Sequence, residues 1–261
     1  MLLTLLAVAA ATALAQEADR TTSIVTIERG ERIIEVEQLG RSADGARFIL
    51  ANPRCEEGVR MSVFYGPPPG SVATRVDATR LSSTIALVRV PQDEGEEPGE
   101  ETLELFGGTA TILREGCIVD LDAATSEPVV LVQGRTTVIG TRFFLDRGTD
   151  IADMEGPIVL ERRDDSGASV LEATSQSLSF DVATERATLV GDVVVTSENR
   201  VSTAERLELD EDAGVAFLTG SPAVSRRDGE EVRGTRLRYD LETDDVIVTG
   251  GVQATFELDL D

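Results

Sequence analysis

Along the second half of the chain, apolar and polar residues alternate with a period of two. Ala152 and Met154, Ala187 and Leu189, Ala216 and Leu218, and Val246 and Val248 stand four and two residues before a glycine. Ile158 and Leu160, Val193 and Val195, Pro222 and Val224, and Val252 and Ala254 stand two and four after it. Glu155, Thr188, Asp192, Thr219 and Thr249 fall on intervening positions. This alternation predicts strands with one dry and one wet face, not helices. The preceding segments behave alike: Leu178 and Phe180, Leu207 and Leu209, and Leu237 and Tyr239 take the dry side, with Ser179, Glu208 and Arg238 between them.

These segments are copies of one unit. Phe143-Phe144-Leu145-Asp146, Leu178-Ser179-Phe180-Asp181, Leu207-Glu208-Leu209-Asp210 and Leu237-Arg238-Tyr239-Asp240 each end in aspartate. Ten residues after each aspartate comes Gly156, Gly191, Gly220 or Gly250, and six before it Gly140, Ser175, Ala204 or Gly234. Weaker copies lie upstream, at Gly116 to Asp122 and at Ala78 to Leu81, and Leu103 to Leu113 matches Val246 to Phe256 around a glycine pair. Each unit reads as strand, turn, strand, and stacked units bury a continuous apolar interior. The expected fold is all-β: an elongated stack of strand-turn-strand repeats with almost no helix.

The aspartate column opens turns, where a carboxylate bonds its own backbone. Asp210-Glu211-Asp212 and Asp240 to Asp245 also offer hard oxygen ligands for calcium, but their spacing is loose and the turn reading is preferred. The glycine column is steric: a small residue at one height lets strands approach or bend, and the pairs Gly107-Gly108 and Gly250-Gly251 are candidate bulges.

Upstream the pattern changes. Leu2 to Ala15 is an uncharged apolar run ending in Ala13-Leu14-Ala15, shorter than the roughly 20 residues of a membrane span and readable as a secretory signal. Residues 16–70 are strand-like but poorly matched to the repeat, and Gly66-Pro67-Pro68-Pro69-Gly70 breaks the chain. Residues 71–261 form the repeat domain, with an acidic insertion at 91–101 expected as a solvated loop. An exported chain would let Cys55 and Cys117, the only cysteines, pair in a disulfide.

Composition narrows the chemistry. Of 261 residues, 48 are Asp or Glu and 24 are basic, all of them Arg, giving a formal net charge of -24. A surface this acidic repels phosphate backbones, which argues against nucleic acid as a partner. Histidine is absent, so no Ser-His-Asp or Cys-His nucleophile system exists, and two cysteines do not make a zinc site. No carboxylate pair stands out for glycoside hydrolysis. The expectation is a protein that is not an enzyme and has no cofactor or metal.

The dry-side column has two readings, a packed core or an incompletely closed groove that accepts acyl chains. The small-x-x-Leu-x-Tyr-Asp pattern, a short turn and a strand ending Thr249-Gly250-Gly251-Val252 resemble the OstA-like (LptA-type) family of periplasmic lipopolysaccharide-transport proteins. Ala173 to Glu257 carries the resemblance best and residues 102–172 more loosely. It implies an open β-jellyroll, or β-taco, that holds lipopolysaccharide or another acyl lipid in a hydrophobic trough. It further implies a periplasmic location, partners in the inner- and outer-membrane transport machinery, and head-to-tail association through edge strands. Under this reading the lipid-facing residues are Phe143, Leu145, Leu178, Phe180, Leu189, Val193, Leu207, Leu209, Leu218, Leu237, Tyr239 and Val248. The alternative is a non-catalytic structural or surface β-repeat scaffold.

Overall fold

The computed structural model describes residues 24–29, 32–38, 49–51, 59–65, 72–76, 78–91, 101–112, 119–123, 128–146, 148–149, 151–181, 184, 186–210, 213–241, 243 and 245–255. The apolar run at 1–15, Cys55, Cys117 and residues 92–100 of the acidic insertion lie outside them. Among the described residues every regular element is a strand. In the first half these are β1 (Ile24–Arg29), β2 (Arg32–Gln38), β3 (Ile49–Ala51), β4 (Val59–Tyr65), β5 (Val72–Val76), β6 (Thr79–Ser83), β7 (Ile85–Pro91), β8 (Thr102–Phe106), β9 (Gly108–Ile112) and β10 (Val119–Ala123). Next come β11 (Val129–Gln133), β12 (Thr136–Gly140), β13 (Arg142–Asp146), β14 (Ile151–Arg163), β15 (Ser169–Asp181) and β16 (Arg186–Ser197). The chain continues through β17 (Arg200–Asp210), β18 (Val215–Arg227), β19 (Glu230–Asp240), β20 (Val246–Thr249) and β21 (Gln253–Thr255).

All but β9 and β10 belong to one antiparallel sheet creased along its middle. In the first layer the pairing runs from β1 through β2, β5, β6, β11 and β12 onto the 158–163 arm of β14. In the second it runs from β3 through β4, β7, β8 and β13 onto the 151–155 arm of the same strand. From β14 to β19 each strand is long enough to serve both layers. The last strand is split, β21 pairing with β19 in the first layer and β20 in the second. The fold is an open β-jellyroll with a crease along one side and two turn-lined lips along the other.

The crease falls on the two columns of small residues. Register shifts between Glu155 and Ile158, Thr174 and Ser177, Val190 and Val193, Thr203 and Arg206, and Thr219 and Ala223 mark where each strand turns the corner. Extra residues at a bulge bend a strand and sharpen its twist, and glycine allows the close approach this requires. A Cβ on Gly156 would sit 2.1 Å from the Gln176 carbonyl oxygen. Gly191 has a φ of 86°, a left-handed conformation that only glycine adopts without penalty. Across the crease, Thr141 N donates to Glu155 O at 2.8 Å and Thr235 N to Gly250 O at 2.8 Å.

Between the layers lies one continuous apolar core, from Val36 and Phe64 at one end to Leu237 and Tyr239 at the other. Strands β2 and β4 join the repeat strands through β5 and β7, so residues of the poorly matched segment extend the same sheet. A smaller cluster of Met61, Val63, Ile85, Leu87 and Phe106 occupies the opposite face of β4, β7 and β8. Here residues 103–112 depart from their likeness to residues 246–255. After Gly250-Gly251 the chain rejoins the sheet as β21, whereas after Gly107 it leaves as β9 and pairs only with β10. Gly108 N donates to Thr84 Oγ1 at 2.8 Å, fixing the point of departure.

Candidate functional site

Each aspartate of the repeat ends a strand at the second lip and accepts a hydrogen bond from a backbone N–H of the following turn. Gly148 N donates to Asp146 at 2.8 Å, Thr184 N to Asp181 at 3.0 Å, Ala213 N to Asp210 at 3.0 Å and Thr243 N to Asp240 at 3.2 Å. These carboxylates act as local turn caps. The first lip has its own turns, and at 164–168 Asp164 accepts from Ser166 N, the Ser166 hydroxyl and Ala168 N. Those bonds, the Ser166 hydroxyl first, hold its pKa below the ordinary carboxylate value. Arg163 does the same for Glu161, and Arg233 together with Arg226 for Glu231.

Between the lips the core opens into a cavity of about 220 Å³. Leu131, Thr136, Val138 and Leu160 line it from the first layer, and Leu178, Phe180, Ala187 and Leu209 from the second. Leu131 on β11 thus shares a cavity with Leu209 on β17, strands well apart in the pairing order, as expected where twisted sheets pack face to face. The volume exceeds the roughly 150 Å³ at which an apolar cavity admits a benzene-sized guest.

The lipid-facing residues expected from sequence divide into groups. Leu178, Phe180 and Leu209 line this cavity. Leu189, Leu207, Leu218 and Leu237 are fully buried in the packed core deeper in the trough, with Phe143, Leu145 and Val193 nearly so. Val248 is half-buried, packed against the core near the last strands.

Tyr239 stands apart from the others. Its ring belongs to the core, while its hydroxyl crosses from the second layer to Ser202 and Ser225 of the first. The two serines bond each other at 3.0 Å, and Arg200 Nη1 donates to Ser225 Oγ at 3.4 Å. These groups clasp the layers together toward the C-terminal end of the trough.

No family model matches the chain, and no curated protein matches it. Among solved structures it is similar to LptH of Pseudomonas aeruginosa, described as the LptA homologous periplasmic component of the conserved lipopolysaccharide transport device. The likeness covers 47% of this chain and 95% of that chain, at 13% identity and a TM-score of 0.40.

A second, smaller cavity of about 100 Å³ lies between the lips. Arg162, Leu171 and Ser197 border it from the first layer, and Tyr239, Asp240 and Leu241 from the second. Arg162 was not among the residues expected from sequence. The signal for it is positional: it stands two residues beyond Leu160, on the dry side of the same strand.

Proposed function

We propose that this protein is an exported, periplasmic lipid carrier or bridge that holds acyl chains in the trough between its layers and passes envelope lipid, lipopolysaccharide or another, toward the outer membrane. The observation that carries this reading is the apolar cavity at the mouth, lined by Leu178, Phe180 and Leu209. Ligand sites are concave, mostly apolar and largely preformed, and this one opens where the lips leave the sheet unclosed. The repeat motif's resemblance to the OstA-like family supports the same reading. Catalysis is not part of it.

In such a carrier, membrane-embedded transport components at either end are the natural partners. The edges of β1 and β3, and of β20 and β21, which pair on one side only among the described residues, would support head-to-tail association by strand addition. Native mass spectrometry of protein purified from its own envelope tests the reading: co-purified acyl lipid is expected, and its consistent absence would defeat it. The fully packed Leu189, Leu207 and Leu218 favour a second reading, a ligand-free structural scaffold whose interior is simply a core.

A further inference from the structure

We infer that Arg162 anchors the anionic head of an acyl lipid inside the mouth of the trough. The ligand is an acyl chain ending in one compact, singly charged oxyanion, a carboxylate. This rests on the proposed trough and adds to it a charge-selective seat between the lips.

Arg162 is 8% exposed and is the only buried arginine among the described residues. Its Nε is buried without a hydrogen-bond partner. The other buried charge, Glu104, is fully engaged: Arg142 Nε donates to it at 2.8 Å and Arg89 Nη1 at 3.4 Å. A buried charge is costly unless paired and hydrogen-bonded, and replacing one with an apolar side chain is often stabilising. Left without an acceptor, the buried Nε of Arg162 is therefore a cost to the fold.

An oxyanion supplies the missing acceptor. Arginine is the side chain suited to this task, because its planar fork matches carboxylate and phosphate geometry. Ser197 borders the same cavity. At about 100 Å³ the space suits one small anionic group, and Asp240 and Glu198 on its walls disfavour a second negative charge.

The neighbouring apolar cavity takes the chain. Leu160, on its wall, precedes Arg162 by two residues on the same face of β14, a separation of roughly 7 Å. Thr136, directly opposite Arg162 in the register, lines the apolar cavity as well. A head at Arg162 and a tail passing Leu160 toward Phe180 and Leu209 would occupy both spaces at once.

The test uses the full chain, which lacks tryptophan and so leaves a fluorescent probe free of intrinsic background. Parinaric acid and its methyl ester share the acyl chain and differ only in the charge. The acid is expected to bind at least about tenfold more tightly, the order of one charge-assisted hydrogen bond. Arg162→Met should reduce acid binding to the level of the ester and leave ester binding unchanged, which also shows that the variant is folded. Arg162→Lys should keep a preference for the acid.

Equal binding of acid and ester by the native chain, or a preference that survives Arg162→Met, overturns the anchor while leaving the trough intact. Binding of neither probe overturns the trough and the anchor together. Inorganic phosphate is the remaining arm. If it displaces no acyl probe but raises the melting temperature of the native chain and not of Arg162→Met, the site belongs to a free anion and the lipid anchor is wrong.

Discussion

The hydroxyl of Tyr239 lies 3.2 Å from Ser225 Oγ across the gap between the two layers, joining residues that do not pair in the sheet. Tyrosine on a dry strand face reads as one more core residue, and its ring is that. Its oxygen, however, needs a partner once buried, and the opposite layer supplies two serines. Tyr239→Phe should therefore keep the packing and lower stability by about 1–3 kcal/mol, the cost of stranding buried hydroxyls. Removing all three hydroxyls, with Ser202→Ala and Ser225→Ala added, should recover much of the loss. Urea unfolding of the single and triple variants measures both effects, and an unchanged midpoint in Tyr239→Phe would remove the clasp from the account.

A photo-crosslinking residue at Leu209 should capture lipid in the envelope, and the same residue at Glu208 should not. The two positions are adjacent in sequence and point to opposite faces of β17. Leu209 borders the larger cavity, while Glu208 lies on the outer surface with Arg206. Mass spectrometry of the adducts gives the answer. A close-packed interior leaves no room for a chain, so silence at both positions in folded, exported protein favours the scaffold reading.

At the crease, glycine substitutions should differ sharply in effect. Gly156→Ala drives a methyl group into the backbone carbonyl of Gln176, which has no flexible end to move. A loss of about 3 kcal/mol or more is expected, at the upper end of overpacking costs. Gly220→Ala meets its nearest atoms at 3.2 Å, so a shift of a few tenths of an ångström suffices and the cost should be much smaller. Thermal denaturation of the two proteins tests the ranking, and equal losses would mean that the crease is not held by close approach at Gly156.

Acid should weaken the first lip, its strand ends and the turn at 164–168, in a definable way. Glu161, Asp164 and Glu231 have folded pKa values below their unfolded ones. The stability they contribute is full above the ordinary carboxylate range, near about 4, and is lost as pH falls through their folded values. Replacing the three by Gln, Asn and Gln should flatten the low-pH limb of the melting curve relative to the native chain, with little change in slope near neutral pH. An identical acid limb in both proteins would refute this assignment.

Much of this architecture was legible in the residues. Period-two alternation at Leu207 and Leu209, or Ala187 and Leu189, identifies strands and their dry face because a strand offers only two sides. The glycine and small-residue columns marked positions of bend or close approach, and they lie together along the crease. What one strand does not encode is its partner across the gap. Leu131 facing Leu209, and Tyr239 reaching Ser202, depend on the accumulated twist of many strands. Arg162 was hidden for another reason: an arginine followed by a second arginine reads as solvent-facing, and only its parity with Leu160 places it indoors. The β9–β10 pair escaped because Gly107-Gly108 and Gly250-Gly251 look alike locally while the chain takes different routes after them.

The crease has a consequence for size. Because β14 to β19 each cross it, the distance from crease to lip is set by how many residues one arm contains, while reach along the stack is set by how many strands are present. One more strand-turn-strand copy would add two inter-strand steps, about 9.6 Å, without altering the bore. Girth and reach are thus separate quantities in this chain, the first adjusted residue by residue and the second by duplicating or deleting whole copies.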